Sequence, residues 1–341
     1  MLKNLIFLLI IPTSCLDKID IETRDFKENQ LVVEGNVNNS SGPYFVSLSY
    51  ASSENVESTN VLVKNPVSGA KVSIVHLASG NSLDLLENTG KLGQYSSPEN
   101  STFKGEVGNE YFLKIELLGK TYASTIEKII TPTPIDTVYW DYNDLSQTIE
   151  IFIDFTDPTA RGDRYIWTWN GYRQFLTNYD NGGSGLNMQG DSIVFDCCRI
   201  CYQQLTGNEI NLFADNLQNG NKIRNQKVTD MYILRLNQLM IEVQLHKTSE
   251  SAYAFWELLY LQQESQGGLF DPPPFGIKGN MKNIGDDNEE VLGYFFASGV
   301  SEYVLRFNAF EYATLQTPFE GTNNDCRLVS KADTLKPGNW D

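Results

Sequence analysis

The stretch AKVSIVHL at residues 70–77 contains the pattern that decides the fold of this chain. Its apolar side chains Val72 and Ile74 alternate with polar residues such as Lys71. A period of two residues is typical of a β-strand with one face buried and the other exposed. His76 lies on the apolar face, where we expect a packed side chain and not a ligand. The stretch therefore predicts a half-buried strand of a sheet.

Short runs of the same kind lie on both sides of this stretch. They are rich in β-branched and aromatic residues and include LVVEGNV, YFVSLSY, YFLKIEL and TYASTIEKI. Turn clusters such as Leu118-Gly119-Lys120 separate them and supply the positive φ angles that hairpins need. About seven strands in roughly 100 residues suit an immunoglobulin-like or transthyretin-like β-sandwich, which we predict at residues 29–130.

Residues 131–135, between Ile130 and Asp136, form the clearest boundary. Each of Pro132 and Pro134 keeps its predecessor out of the α region, so this linker is extended and stiff. We place a second, larger β-rich domain at residues 136–341.

The second domain opens with strands and contains one main helix. In TIEIFIDF, residues 148–155, four apolar side chains share one face. Residues 229–246 predict one long strand or a tight hairpin. The helix is predicted at about residues 249–264, with Thr248 or Ser249 as its N-cap. Its apolar face consists of Ala252, Phe255, Trp256 and Leu259.

An aromatic stripe follows the first strands of the second domain. Tyr165, Trp167 and Trp169 fall on one face of the predicted strand RYIWTWNGY. Such a stripe usually fills a core, because each ring buries about 150–250 Å². The alternative is a ligand face on which sugar rings or peptides stack. Residues 177–190 then form a long Gly-rich loop of the kind that often binds or covers a site.

The first 15 residues, MLKNLIFLLIIPTSC, predict export and lipidation. Lys3 precedes the unbroken apolar run Leu5–Ile11, which is too short to span a bilayer and is typical of a signal peptide at residues 1–14. Cleavage before Cys15 resembles the lipobox of bacterial lipoproteins, in which the new N-terminal cysteine carries the lipid. The alternative is an ordinary signal peptide with a chance cysteine. With Cys15 as the anchor, residues 15–28 form a polar tether.

The charge balance disfavours two classes of partner. The chain has 26 Lys and Arg against 43 Asp and Glu, a formal net charge of −17. Nucleic acids and anionic lipid headgroups both attract basic surfaces, so neither is an expected partner.

Four cysteines remain downstream of Cys15, namely Cys197, Cys198, Cys201 and Cys326. In an oxidising compartment an even number predicts two disulfides, with three pairings open. The bridge we favour joins Cys326 to the 197–201 cluster. A four-thiolate zinc site is the alternative.

Familiar catalytic patterns do not occur in the sequence, and no metal is predicted. The chain has only two histidines and no GxSxG, HExxH, P-loop or GxGxxG pattern. The acidic loop at residues 286–290 and the pair Asp180-Asn181 offer oxygen ligands for calcium, but solvated turns are the preferred interpretation and no cofactor is expected. Three Asp-Ser/Thr-apolar triplets resemble sites of a bacterial O-glycosylation system, with acceptors at Thr137, Ser192 and Thr334.

Taken in order, several segments resemble a family of Bacteroidetes outer-membrane lipoproteins described as domain of unknown function 4249. The resemblance rests on LVVEG, GNEYFLKIELLGKTYAS, IDTVYW, SAYAFWELLYLQQESQGGLFDPPPFGIKGN, VLGYFFASGV and the ending DCR…KPGNW. It implies an exported, lipidated protein of the outer membrane, facing the cell surface, encoded beside TonB-dependent transporters and without an assigned activity.

The sequence therefore predicts a non-catalytic lipoprotein that scaffolds or assists an outer-membrane β-barrel, either a TonB-dependent transporter or another barrel assembly. A lipid and a flexible tether raise the effective concentration of the body beside such a partner. Two alternatives remain, a surface hydrolase of glycans or peptides that uses paired carboxylates, and a stand-alone sugar-binding module or adhesin.

Overall fold

The computed structural model describes residues 29–56, 59–176, 183–186, 192–195, 200–216, 219–232, 236–264, 277–308, 329–338 and 340. The predicted leader, Cys15 and the tether lie outside these residues. Within them, no helix combines the length and the apolar character needed to cross a bilayer.

The described residues form β-strands and one helix. The helix is α1 (Glu250–Glu264). The strands are β1 (Gln30–Asn38), β2 (Phe45–Val56), β3 (Thr59–Pro66), β4 (Lys71–His76), β5 (Ser82–Glu87), β6 (Gln94–Ser96), β7 (Glu110–Leu117), β8 (Lys120–Ser124), β9 (Glu127–Lys128), β10 (Ile135–Asn143), β11 (Thr148–Thr156), β12 (Arg164–Leu176), β13 (Gly183–Leu186), β14 (Ser192–Phe195), β15 (Ile200–Thr206), β16 (Asn211–Ala214), β17 (Lys222–Tyr232), β18 (Leu236–Thr248), β19 (Met281–Asn283), β20 (Leu292–Phe307) and β21 (Ala332–Asp333). The predicted mostly β fold with one main helix is confirmed.

The first core lies between strands of the N-terminal half, as the alternating pattern predicts. Val72 and Ile74 of β4 are completely buried, together with Leu113 and Ile115 of the neighbouring strand β7. They pack against apolar residues of β1 and β2, including the fully buried Val33. Two sheet layers that share one apolar interior form a β-sandwich.

Strand β20 belongs to both halves of the chain. Its first part, Leu292–Ser298, pairs in parallel with β1, and its second part, Ser298–Phe307, pairs antiparallel with β18. Strand β19 likewise pairs with β8. Strands β19 and β20, which follow the linker at residues 131–135, therefore complete the first sandwich. The order of the segments along the chain does not predict this pairing. The division into two independent domains stays a prediction.

The second core lies between the sheet β10–β11–β17 and the strands β12, β18 and β20. The four apolar residues that the sequence places on one face of β11 are all completely buried: Ile149, Ile151, Ile153 and Phe155. The ring of Phe155 lies 4.9 Å from that of Tyr165 on β12, measured between centroids. The second half is thus a sandwich of its own, joined to the first through β20.

Residues 229–246 form neither one strand nor a hairpin. Strand β17 pairs with β11 in one sheet, whereas β18 pairs with β12 and β20 in the other. Alternating apolar residues mark a buried face in both cases, but the pattern contains no information about which strand lies alongside.

Helix α1 begins where the sequence predicts. The Ser249 hydroxyl accepts a hydrogen bond from the Ala252 amide at 3.2 Å and so caps the first turn. Ala252 and Phe255 are buried, and the Phe255 ring lies 4.9 Å from that of Tyr294 on β20.

Gly293 allows β20 to approach β1. Its φ angle is +85°, and a Cβ atom added there would lie 2.0 Å from the carbonyl oxygen of Val33. Only glycine fits such a close approach of two backbones at positive φ.

The variant Gly293→Ala is expected to lower the free energy of unfolding by about 3 kcal/mol or more, because the new methyl group forces β20 away from β1. Gly69→Ala is the matched control, since Gly69 also has a positive φ, +77°, but nothing within 4 Å of the added atom. It should cost only about 1–2 kcal/mol of backbone strain. Urea unfolding of both variants measures the difference, and equal losses would contradict the close approach.

His246 on β18 is a buried neutral base beside the point where β20 changes partner. Its ring lies 3.0 Å from the Ser298 hydroxyl, and burial lowers its pKa to about 4. Between pH 6.5 and 4, the imidazole of His246 therefore takes up a proton more readily in the unfolded chain than in the folded one. The free energy of unfolding should fall as the pH falls through this window.

We expect His246→Gln to remove this pH-dependent loss, which amounts to at most about 3 kcal/mol in the unsubstituted chain. The other histidine provides the control, because His76→Gln should leave the loss in place. Denaturant unfolding between pH 7 and 4 tests both, and an unchanged pH profile in His246→Gln would overturn the assignment.

Candidate functional site

Two loops from distant parts of the chain form one exposed surface of the first sandwich, which we call the apex and define as residues 118–121 and 283–289. The first loop is the β7–β8 turn, where Leu118 and Gly119 have φ angles of 50° and 79°. The second follows β19, and the Ile284 amide donates a hydrogen bond to the Thr121 carbonyl at 2.8 Å. Pairing of β8 with β19 thus fixes the two loops side by side.

Glu289 holds the two loops of the apex together. Its carboxylate accepts hydrogen bonds from Lys120 at 2.7 Å, from the Tyr122 hydroxyl at 2.8 Å and from the Asn283 amide at 2.7 Å. Partial burial raises the pKa of Glu289, but these donors outweigh burial and hold the pKa below its ordinary value. The donors of the apex therefore stabilise the charged form of the Glu289 carboxylate.

The apex exposes large apolar side chains on a fixed frame. Leu118 is 86% exposed and Ile284 is 56% exposed. Beside them lies a surface depression of about 430 Å³, which is lined by Gly119, Lys120, Thr121, Asn283, Ile284, Gly285 and Asp286. Single exposed apolar residues are ordinary, but a pair held on a rigid frame beside a depression is suited to contact with another protein.

Residues 286–289 of the acidic loop at residues 286–290 belong to this apex. Asp287 and Asn288 form an exposed turn, as the preferred interpretation of a solvated turn predicts. The Glu289 carboxylate is engaged by Lys120, and an oxygen of Asp286 accepts the Asn288 amide at 3.0 Å. Asp180 and Asn181, the other calcium candidates, lie outside the described residues.

The aromatic stripe lies mainly in the core. Tyr165 is fully buried and Trp167 is 3% exposed, because the β10–β11–β17 sheet covers this face of β12. Trp169 is partly buried, and its indole donates to Glu209 at 3.1 Å. The three rings therefore do not form one exposed stacking face.

A cluster of buried acids surrounds one end of Tyr165. The Tyr165 hydroxyl donates to Asp157 at 2.6 Å, and the other carboxylate oxygen of Asp157 accepts the Gly220 amide at 3.0 Å. Lys247 lies 2.5 Å from Asp163 in a buried ion pair. Each of these two carboxylates therefore has a donor.

Asp215 is the third acid of this cluster, and among the described residues no side chain donates to its carboxylate. It is 4% exposed. Burial raises its pKa, and the nearby charges of Asp157 and Asp163 raise it further, whereas the Gly162 amide and the charge of Arg164 lower it by less. The amide oxygen of Asn219 is buried without a hydrogen-bond partner.

The described residues contain no group of three or more His, Cys, Asp or Glu side chains placed to share one metal ion. Any cation bound among them would thus need other oxygen ligands as well. The sequence gives no hint of the acidic cluster, because Asp215 lies far along the chain from Asp157 and Asp163, and the three fit no known spacing.

The remaining predicted sites are only partly described. Cys201 is completely buried and disulfide-bonded, whereas Cys15, Cys197, Cys198 and Cys326 lie outside the described residues, so the pairing stays open. Among the glycosylation candidates, Thr334 is exposed and Thr137 is partly buried on β10. Ser192 lies in the short strand β14, which pairs with β13.

Comparison with known proteins identifies one family. The family model described as "Domain of unknown function (DUF4249)" matches residues 17–303. No curated protein matches the sequence. Among solved structures, a DUF4785 family protein from Legionella pneumophila aligns with 13% identity and a TM-score of 0.19, over 63% of this chain and 52% of that one. The chain thus spans about half the length of that protein.

We expect Glu289→Gln to loosen the apex, because it removes the charge that binds Lys120. The amide of Ile284 should exchange its hydrogen about 5–30-fold faster, which corresponds to a loss of roughly 1–2 kcal/mol. Asp287→Asn, in the same exposed loop, controls for the change of net charge and should leave the exchange rate unchanged. Equal rates in the two variants, measured by hydrogen exchange at neutral pH, would show that Glu289 does not hold the loops together.

Proposed function

The chain belongs to the DUF4249 family, and from this premise we propose that it is a non-catalytic lipoprotein that scaffolds or assists an outer-membrane β-barrel, such as a TonB-dependent transporter. The observation that carries the proposal is the apex, with Leu118 and Ile284 exposed on a frame that Glu289 holds in place. The barrel supplies the surface that covers these side chains.

Attachment to the membrane is the first part of the proposal. A lipid on Cys15, followed by the polar residues 16–28, keeps the folded body close to the outer membrane. Confinement by a short tether raises the local concentration of a partner to the millimolar range, so a small contact surface suffices for a stable complex.

The chemistry of the apex indicates what the partner offers. The two exposed apolar residues lie next to Asp286 and Asp287, which are both exposed, whereas Lys120 is already paired with Glu289. The complementary surface is therefore an apolar patch with basic residues at its rim, as on a loop or turn of the barrel. The net charge of −17 favours a basic partner in the same way.

The two alternatives have less support from the described residues. A sugar-binding module was expected to expose Tyr165, Trp167 and Trp169, but the first two rings are buried. A surface hydrolase that uses paired carboxylates needs them accessible to its substrate. The acids that cluster among the described residues are largely buried beside the Tyr165 hydroxyl.

The proposal predicts that a barrel protein copurifies with the tagged chain when it is extracted from its own outer membrane in mild detergent. In the double variant Leu118→Ser/Ile284→Ser, recovery of the barrel should fall at least about tenfold, a loss of roughly 1.4 kcal/mol in binding. Leu145→Ser is the matched control, because Leu145 is 98% exposed on the β10–β11 turn, and it should leave recovery unchanged.

Three results would contradict the proposal. If the unsubstituted chain recovers no barrel protein, the scaffolding role is wrong. If Cys15→Ala stays in the outer-membrane fraction as before, lipidation of this cysteine does not attach the chain. Turnover of a glycan or peptide by the purified chain would favour the hydrolase instead.

A further inference from the structure

The first strand of the first sandwich begins beside the apex. The Asn29 amide donates a hydrogen bond to the Ala51 carbonyl at 3.0 Å, and β1 starts at the next residue. The side chain of Gln30 donates to the Glu290 carboxylate at 3.2 Å, and Glu290 directly follows the apex residue Glu289. The chain that leads from Cys15 therefore joins the folded body at the same end as the apex.

The β5–β6 turn, residues 88–93, lies at this end as well. The Leu48 amide donates to the Gly93 carbonyl at 2.8 Å, and Leu48 pairs with Val33 near the start of β1. Leu92, next to Gly93, is 64% exposed. The apex, the start of β1 and this turn together form what we call the apex end of the molecule.

Strand β20 measures the distance from the apex end to the second sandwich. Its first residue, Leu292, lies beside Val32 of β1, and its last residue, Phe307, pairs with Leu239 of β18. A strand rises about 3.3 Å per residue, so the 16 residues of β20 span roughly 50 Å.

The β10–β11 turn lies beyond the other end of β20. The Ser301 hydroxyl donates to the Thr133 carbonyl at 2.6 Å, just before β10 begins. Farther along, the Trp140 ring stacks on the Phe307 ring with 5.0 Å between centroids. Strand β10 therefore runs in the same direction as β20, and the turn after it, where Leu145 is 98% exposed, lies past Phe307.

The number of residues between Cys15 and the folded body limits how the body can be held. Only residues 16–28 separate Cys15 from Asn29. Even when fully extended, 13 residues span at most about 47 Å. The β10–β11 turn could reach the bilayer only if this segment ran back along the whole body at its limit of extension. With the apex end at the membrane, a far larger number of conformations is allowed.

We propose that the apex end faces the membrane, and that the apex covers the part of the barrel that lies at the level of the lipid headgroups. The second sandwich points away from the bilayer. This inference rests on the proposed function, because it takes Cys15 as the lipid anchor, and it adds which part of the partner is bound. The exposed Asp286 and Asp287 suit basic residues on the turns or loops of the barrel, because anionic headgroups would repel them.

The test of orientation uses the full lipidated chain without the barrel, reconstituted into phosphatidylcholine vesicles that contain a rhodamine-labelled lipid. A fluorescent amino acid replaces Leu92 in one variant and Leu145 in the other, and both positions are exposed. Energy transfer to the labelled lipid should be at least about threefold more efficient from position 92, because the two positions differ by roughly 50 Å in their distance from the bilayer.

A longer tether is the control. An insertion of about 20 Gly and Ser residues after residue 22 extends the maximal reach to about 110 Å, so either end of the body can then approach the bilayer. Transfer from position 145 should rise relative to transfer from position 92.

Crosslinking tests the level of the contact on the barrel. A photoreactive amino acid in place of Leu118, activated in intact outer membranes, should crosslink to a barrel peptide that adjoins the end of a membrane-spanning strand. Crosslinks confined to barrel loops far from the bilayer would overturn this part of the proposal.

The results separate this inference from the proposed function. Equal transfer from both positions with the natural tether, or more transfer from position 145, overturns the orientation, whereas copurification of a barrel protein would still support the scaffolding role. Absence of transfer from both positions shows that Cys15 does not attach the chain, and the inference then fails together with the lipid anchor of the proposed function.

Discussion

The double pairing of β20 is the constraint on which the rest of the structure depends. One continuous strand supplies main-chain hydrogen bonds to β1 along Leu292–Ser298 and to β18 along Ser298–Phe307. Each unpaired main-chain group would be costly in a buried sheet, so the two halves cannot separate without breaking a ladder. The first sandwich is therefore complete only when residues beyond 290 have paired with β1.

Several buried polar groups around the place where β20 changes partner form hydrogen bonds, although the Thr248 hydroxyl opposite Ser298 has no partner. Glu127 accepts hydrogen bonds from Tyr294, at 2.9 Å, and from Ser249, the cap of α1, at 3.0 Å. Burial raises the pKa of Glu127 although these donors favour its charged form. Asn280 donates to the Phe295 carbonyl at 2.7 Å and accepts the Phe295 amide at 2.9 Å, as a neighbouring strand would. These bonds fix β9, α1 and β20 relative to one another.

The apex and the acidic cluster are built on the same principle. Each brings together two connections from distant parts of the chain, and strand pairing determines where those connections lie. They differ in the donors that reach their carboxylates, since three side chains donate to Glu289 whereas no described side chain donates to Asp215. The apex therefore presents a rigid surface. In the acidic cluster, burial and the charges of Asp157 and Asp163 raise the pKa of Asp215.

The sequence by itself determined the local structure and the family. The alternation around Val72 and Ile74 predicted a strand, and Ser249 predicted the start of α1, because periodicity and capping depend on residues close together in the chain. Tertiary structure alone decided that β1 lies beside β20, that β17 and β18 enter different sheets, and that Asp215 meets Asp157 and Asp163. An alternating pattern states which face of a strand is buried, but the partner of that strand depends on contacts between residues far apart in the sequence. No local rule encodes such contacts.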